Sequence, residues 1–543
     1  MCGIFCLIKY KHPINNEEMI KYSNMLSHRG PDAENYKIIK PRDDIEIFMG
    51  FRRLSIMDIS NDALQPFERK GKYVMCNGEI YKYKPLIKKY KLKLQTKCDC
   101  EVILPLNEKM NIWDMIIEEL DAEFAMILYD KIQNIIYVVR DKYGIRPLFY
   151  GYNTKDNTIA FASEMKALHP IMEYIEPVKP NKFYILNLNI PLKNIKKMVY
   201  NVEYYNYDNT HLDNVLYLNK IEYIEQKLRY LLINAVSKRL HADRPIGFLL
   251  SGGLDSSLIV AIATRIIGSE NIVCFSVGLD GSADVEAAKK VVKYLGITQH
   301  HIIHFSIDDG INIIPEVIKC IESYDITTIR ASTPQLIMAK YINKQTNIKV
   351  ILSGEGSDEI HGSYRYFRNA PNAIEFRKEC LRLLEELYLY DNLRTDRTMA
   401  SQGLEVRIPF LDYEYVEFIK KIDPSLLMYN VDHMEKKILR DSFKGFLPEE
   451  ILYRSKEAFS DAVSSKDINW YKSIVSLANT TITDDELINN PFEINKPQTK
   501  EALYYRRIFS NYYPNRDNII PHYWLPKWNG EIMDPSATIL NCY

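Results

Sequence analysis

Over the first ~200 residues the apolar positions come in short runs bounded by Gly, Asn and Asp, a pattern that predicts strands. Ile45–Phe51, Tyr73–Cys76, Ile135–Arg140 and Pro147–Tyr152 are the clearest. A polar stretch rich in Tyr, Asn and Asp, from about Asn201 to Asn219, has no apolar period and reads as a linker. The pattern then changes. From Ile221 onward, Ile224, Leu228, Leu231, Leu232, Ala235 and Leu240 fall on one face of a helix. Short apolar runs follow in alternation with helical segments: Ile246–Leu250, Ile272–Val277, His301–Phe305 and Val350–Leu352. That alternation predicts a parallel sheet with helices on its faces, and in such sheets ligands bind beyond the carboxyl ends of the strands. Ser251–Ser257 and Ser353–Glu359 each follow a predicted strand directly, so they are expected to converge on one crevice.

Composition narrows the classes. A chain of 543 residues is too long for one typical core and predicts two domains. With 70 basic against 71 acidic side chains, no global field recruits nucleic acid or anionic lipid. The basic stretch Lys82–Lys97 is broken by Tyr83, Leu86, Ile87 and Tyr90 and reads as a solvated face. Nine cysteines, an odd number, form no disulfide framework. Cys98 and Cys100 flank one Asp with no second pair in range, so zinc spacing is absent. This usage predicts a reducing, intracellular setting. No run of about 18 apolar residues could span a membrane. The opening Cys2–Ile8 is too short for a signal peptide, and a soluble, cytoplasmic protein is expected.

Two motifs carry chemistry. Removal of Met1 would leave Cys2 with a free α-amine, able to act as general base for its own thiol without a histidine such as His28. The resulting thiolate could attack a carboxamide and form a thioester. The other motif is Ser251-Gly252-Gly253-Leu254-Asp255-Ser256-Ser257. It lacks the Lys of a Walker loop, so γ-phosphate transfer is not its chemistry. Its serines and glycines let backbone N–H groups and a helix N-terminus face pyrophosphate. Asp255 would repel phosphate unless Mg²⁺ bridges the two. Ser353-Gly354-Glu355-Gly356-Ser357-Asp358-Glu359 adds three carboxylates. Asn77-Gly78 by itself reads as a hairpin turn. His300, His301 and His304, on a strand predicted to be buried, read as structural.

Longer segments carry a resemblance. Met1-Cys2-Gly3-Ile4, Ser27-His28-Arg29-Gly30-Pro31-Asp32, Arg53-Leu54-Ser55-Ile56-Met57-Asp58 and Asn77-Gly78-Glu79-Ile80-Tyr81 resemble the glutaminase domain of class II glutamine amidotransferases. The resemblance implies an α+β N-terminal nucleophile domain with layered antiparallel sheets over residues 1–205. By it Cys2 is the nucleophile, Arg53 clamps the glutamine α-carboxylate, and Leu54, Ser55, Ile56 and Met57 complete that wall. Glu79 and Asp99 hold the α-ammonium, while Asn77 and the Gly78 N–H form the oxyanion hole.

Ser251–Ser257 and Ser353–Glu359, with Tyr324–Pro334, Gly403–Asp412, Arg454–Phe459 and the Asp534-Pro535-Ser536 tail, resemble glutamine-hydrolysing asparagine synthetase across essentially the whole chain. This implies a linker at 206–219 and an α/β PP-loop domain with a parallel sheet at 220–543. The implied reaction is attack of the aspartate β-carboxylate on the α-phosphorus of ATP, then displacement of AMP by ammonia passed internally from glutamine. Leu249, Ser251, Gly252, Gly253, Asp255 and Ser256 would bind ATP, together with Ser257, Val277, Ser353 and Gly354. Thr327, Thr328, Arg330 and Glu359 would bind aspartate. Asp255 and Asp358 would hold Mg²⁺, Lys456 would face the phosphates, and Glu355 would govern the intermediate and take a proton from ammonia. The loop departs from the family pattern at Ile360-His361-Gly362-Ser363-Tyr364, where a local adjustment is expected. A homodimer is implied, with no nucleic-acid or membrane partner. Amidation of a different carboxylate is disfavoured by Thr327–Arg330, and transfer to a sugar phosphate by the ATP loop.

Overall fold

In β1 (Gly3–Tyr10) the residues Ile4, Cys6, Ile8 and Tyr10 turn to one face, and in β3 (Ile45–Arg53) Ile45, Ile47, Met49 and Phe51 do the same. Period-2 alternation puts them in a single core with Tyr73, Met75, Ala125, Ile127, Ile136 and Val138 from a second sheet. Each Ile, Val, Met or Phe among them contributes about 1.5–3 kcal/mol by leaving water. Helix Asn16–Asn24 packs on β1 and β3 as well, which is why both strands are buried along almost their whole length. The computed structural model describes residues 1–11, 13–207, 219–429, 434–455, 464, 469–528, 530 and 534–535.

The chain forms two compact units: Met1–Asn206 with Ala242–Arg244 and Ala400–Glu405, and then Tyr207–His241, Pro245–Met399 and Val406–Tyr543. The first unit adds β2 (Ala33–Arg42), β4 (Phe67–Arg69), β5 (Lys72–Ile80), β6 (Ala122–Asp130), β7 (Ile135–Arg140) and β8 (Phe149–Asn153). It is completed by β9 (Thr158–Ala162), β10 (Tyr174–Pro177), β11 (Lys182–Asn187) and β12 (Val199–Glu203). These make two six-stranded sheets, β10-β8-β9-β1-β3-β2 and β12-β11-β7-β6-β5-β4, whose recorded pairings are antiparallel. The basic stretch forms helix Tyr83–Tyr90, which buries Tyr83 and Leu86 and leaves its lysines toward water.

In the second unit β13 (Ile246–Leu249), β14 (Val273–Gly278), β15 (Gln299–His304), β16 (Val350–Leu352) and β17 (Glu405–Arg407) form one sheet in the order β15-β14-β13-β16-β17. The pairings of β13, β14, β15 and β16 are parallel. Chain order runs outward from β13 to β15 on one side and returns to β16 on the other. A crevice therefore opens beyond the ends of β13 and β16, where the topology reverses. The helix predicted from Ile221 spans Ile221–Arg239. Its last inward position is Arg239, paired with Asp412 at 2.8 Å, while Leu240 is only half-buried.

Two expectations change. Asn77-Gly78 is no turn: both residues lie inside β5, opposite Ala125 and Phe124 of β6. A Cβ on Gly78 would stand 2.2 Å from the Glu123 carbonyl oxygen, so glycine is required by the close approach of β6. The histidine strand β15 is an edge strand and only partly buried. Its histidines are nonetheless partnered separately: His300 with Ser276 at 2.8 Å, His301 with Tyr341 at 3.2 Å, His304 with Asp280 at 2.9 Å. Most of the expected linker, residues 208–218, lies outside the described residues.

Candidate active sites

In the first unit Cys2 stands at the head of β1, and β5 brings Asn77 to it across 75 residues of sequence. The Cys2 N–H donates to Asn77 Oδ1 at 2.8 Å. That bond orients the amide and leaves its other end, Asn77 Nδ2, buried without a partner. A buried donor left unsatisfied costs about 1–3 kcal/mol, which a ligand oxygen would relieve. The Leu54 N–H donates to Cys2 Sγ at 3.4 Å, a second donor at the thiol. Burial pushes the Cys2 thiol up to about 11 and the Met1 amine down to about 6. Met1 itself is buried, its sulfur 2.7 Å from Arg146 Nη1.

The wall beside Cys2 is the segment 54–60, curled around Arg53. The Arg53 guanidinium donates to the carbonyls of Met57 at 3.3 Å, Asp58 and Ser60. Among the described residues it makes no ion pair, so a buried cation remains for a carboxylate to meet. The segment is held from outside: the Ser55 N–H donates to Asp32 Oδ2 at 2.8 Å, and Arg244 Nε donates to the Ser55 carbonyl at 2.9 Å. Leu54, Ile56 and Met57 are buried along it. Asp99 is fixed by the Ile80 N–H at 2.6 Å, which sets it at the end of β5 near buried Glu79. His28 is engaged by Glu164 at 2.9 Å.

In the second unit the two predicted loops meet. Gly252 adopts φ +77°, and a Cβ there would stand 2.5 Å from the Ala288 nitrogen. Gly253 then caps helix Leu254–Ile267, whose N-terminus faces the crevice. A Cβ on Gly354 would stand 2.7 Å from the Ser256 nitrogen, so the loops after β13 and β16 touch. One cavity is lined by Leu249, Ser251, Gly253, Asp255 and Ser256, with Val277, Thr327, Arg330, Ser353, Gly354, Glu355 and Asp358. Gly252 and Ser257 lie behind it, holding the turn and the first helical turn.

The charges are organised by residues without a sequence signature. Lys436 is buried, and its ammonium donates to both Asp255 oxygens at 2.8 and 2.7 Å and to Asp358 Oδ1 at 2.7 Å. Its backbone is left-handed (φ +57°), uncommon for a residue with a side chain. The Ser357 hydroxyl adds 2.7 Å to Asp255 Oδ1. Arg394 donates to Glu355 at 2.8 Å and to Asp391 at 2.7 Å. Lys436 also lines a smaller cavity with Ser251, Gly253, Arg440 and Arg454. Asp255, Asp284 and Glu435 line it too, paired with Lys436, Arg454 and Arg440 respectively.

The residues expected to bind aspartate separate. Thr327 lines the main cavity with a buried hydroxyl lacking a partner. The Thr328 hydroxyl instead donates to Asp325 Oδ2 at 2.7 Å, completing the N-terminal cap of helix Ile326–Gln345. Arg330 lines the cavity but already holds Glu501 at 2.8 Å and Asp534 at 2.9 Å. Glu359 is not among the lining residues: it accepts from Tyr364 at 2.7 Å, and burial, then Asp391 and Asp358, hold its carboxyl well above the usual range. The departing Tyr364 thus serves as a partner to Glu359. Lys456 lies outside the described residues.

Comparison with known proteins agrees with this division. A family model described as a glutamine amidotransferase domain matches residues 1–206. One described as asparagine synthase matches residues 227–378 and 368–536. A probable glutamine-hydrolyzing asparagine synthetase of Acanthamoeba polyphaga mimivirus is 57% identical over 550 residues, covering 99% of this chain and 100% of that protein. The asparagine synthetase (glutamine-hydrolyzing) of Rattus norvegicus is 39% identical over 567 residues, covering 100% and 99%. That of Homo sapiens is 38% identical over 567 residues with the same coverage.

Proposed function

Because the chain belongs to the glutamine-hydrolysing asparagine synthetase family, we propose that it makes L-asparagine from L-aspartate, using ATP and ammonia released from L-glutamine. L-glutamate, AMP and pyrophosphate are the other products. One observation carries the reading: a single chain holds a thiol beside an unpartnered buried amide and, separately, two phosphate-type loops whose carboxylates converge.

At the first site Arg53 receives the glutamine carboxylate, and Glu79 and Asp99 its ammonium. With Met1 removed, the Cys2 α-amine takes the thiol proton and sulfur attacks the side-chain carbonyl. Asn77 Nδ2 and the Gly78 N–H stabilise the oxyanion, the amine returns the proton to the leaving nitrogen, and water cleaves the thioester. At the second site the aspartate β-carboxylate attacks the α-phosphorus, and pyrophosphate leaves toward Lys436, Arg440 and the amides of Ser251–Ser257. Ammonia then attacks the β-carbonyl of the mixed anhydride, AMP leaves, and Glu355, positioned by Arg394, accepts the surplus proton.

Asp255 and Asp358 fit Mg²⁺: hard carboxylate oxygens from two loops meet at one cation, the Lys436 ammonium. When bound, the ion would neutralise charge on the polyphosphate. Thr327 supports aspartate binding through its unpartnered hydroxyl, whereas Arg330 would have to exchange Asp534 for a substrate carboxylate. Lys456 is assigned to the phosphates by resemblance alone. We place the protein in the cytoplasm as a homodimer; none of its eight described cysteines forms a disulfide, and no described helix is long and apolar enough to cross a membrane.

The test is pyrophosphate release from ATP across a panel of carboxylates, with glutamine and then with ammonium. Aspartate-dependent release with stoichiometric asparagine is expected under both. Glutamate formation with no aspartate-dependent pyrophosphate would refute the assignment, as would preference for another carboxylate.

A further inference from the structure

Nothing in the proposed reaction uses the thiols of Cys76, Cys98 or Cys100. Along the sequence only Cys98 and Cys100 are close, and a pair flanking one aspartate lacks further zinc ligands. A tight helical turn over Asp99–Val102 nonetheless folds those three side chains together. The two sulfurs of Cys98 and Cys100 and an oxygen of Asp99 all lie within 4.8 Å of one another. Each thiol is 3.7 Å from the Asp99 carboxylate, Cys98 at Oδ1 and Cys100 at Oδ2. All three residues are buried.

We propose that Cys98, Asp99 and Cys100 form a three-ligand binding site for a soft divalent cation of the zinc class that competes with glutamine. Thiolates with one carboxylate suit zinc or cadmium and not magnesium. Sulfurs at ~2.3 Å from a tetrahedral ion stand just under 4 Å apart, so rotamer changes within the present spacing close the site. Each thiol forms a sulfur–metal bond and releases one proton to solvent. The competition rests on the reading of Asp99 as a ligand of the glutamine ammonium: a carboxylate that holds a metal no longer receives that ammonium. The cation therefore stops glutamine-dependent synthesis and spares ammonia-dependent synthesis. The catalytic thiol of Cys2 is a rival ligand, and the experiment must exclude it.

The full-length protein is titrated with Cd²⁺ while thiolate-to-cadmium charge-transfer absorption is followed, with and without glutamine. One equivalent of absorbing Cd²⁺ is expected. The band should persist in Cys2→Ala and be lost or weakened at least tenfold in Cys98→Ser and in Cys100→Ser, two near-isosteric variants tested separately. Saturating glutamine should weaken cadmium binding at least tenfold. Absence of the band, its loss in Cys2→Ala, or its persistence in both serine variants would overturn the site. A band indifferent to glutamine would overturn the competition. Asp99→Asn separates the two readings: unchanged glutamine affinity there would refute the ammonium role, and a surviving band in wild type would still support the site.

Discussion

Replacing Lys436 by Met keeps side-chain length and removes the charge that Asp255 and Asp358 share. Both Asp255 oxygens and one of Asp358 lie 2.7–2.8 Å from the ammonium, and the two carboxylates are only 11% and 15% exposed. Oxygens bound to one nitrogen at that range are ~5 Å apart, so their mutual repulsion at an effective dielectric of about 20 is about 3 kcal/mol. Loss of one partner from a buried ion pair commonly costs about 3–5 kcal/mol, the same scale. In EDTA, chemical unfolding of the second unit in the full-length protein should shift down by about 3 kcal/mol. Mg²⁺ should remove most of that loss, because the cation enters the place the ammonium left. Calorimetric titration without nucleotide should therefore find Mg²⁺ bound ~100-fold more tightly by the variant, which is about 2.7 kcal/mol. Pyrophosphate release should fall nonetheless, since the ammonium also lines the cavity beside Ser251–Ser257. Equal stability in EDTA together with unchanged Mg²⁺ affinity would refute convergence of the two carboxylates on Lys436.

Cys2→Ala should abolish glutamine-dependent synthesis and leave ammonia-dependent synthesis intact; loss of both, measured as asparagine formed, would contradict two separable sites. Asn77→Ala should lower kcat for glutamate formation by about 10²–10³ with little change in KM, the scale of one lost oxyanion donor. Gly78→Ala should block the first site by displacing β5 from β6, because the new Cβ meets the Glu123 carbonyl at 2.2 Å; wild-type glutaminase turnover would argue against that strand pairing. Glu359 carries a raised carboxyl pKa in the folded state, chiefly through burial. The folded protein thus keeps a proton that the unfolded chain releases, and stability falls as pH rises above the ordinary glutamate range toward the folded pKa. Glu359→Gln should remove that slope and gain on wild type as pH rises; parallel stability–pH curves would refute the assignment.

Local pattern made much of the fold legible. Ile135–Arg140 and Val350–Leu352 are strands with the bounds their apolar runs suggest, and Ile45–Phe51 lies within β3. A period of two or 3.6 residues records which face leaves water, and that information is short-range. It failed where a distant element outweighed a local preference. Asn-Gly favours a hairpin, yet β6 pairs across Asn77 and Gly78 and holds them extended. The apolar run around the histidines of β15 suggested a buried strand, but among the described residues no strand covers its outer edge.

What the sequence by itself determined is the chemical inventory: a thiol at position 2, two loops rich in Ser, Gly and carboxylates, and the strands that precede them. The tertiary structure alone decided which charges meet. Lys436 follows Asp255 by 181 residues, and Arg394 follows Glu355 by 39. Burial lowers the local dielectric, so these few ångström-scale contacts decide which groups in the sites are paired and which are left for a ligand. Separation along the chain carries no trace of such contacts, because they arise from sheet order and loop approach and not from spacing.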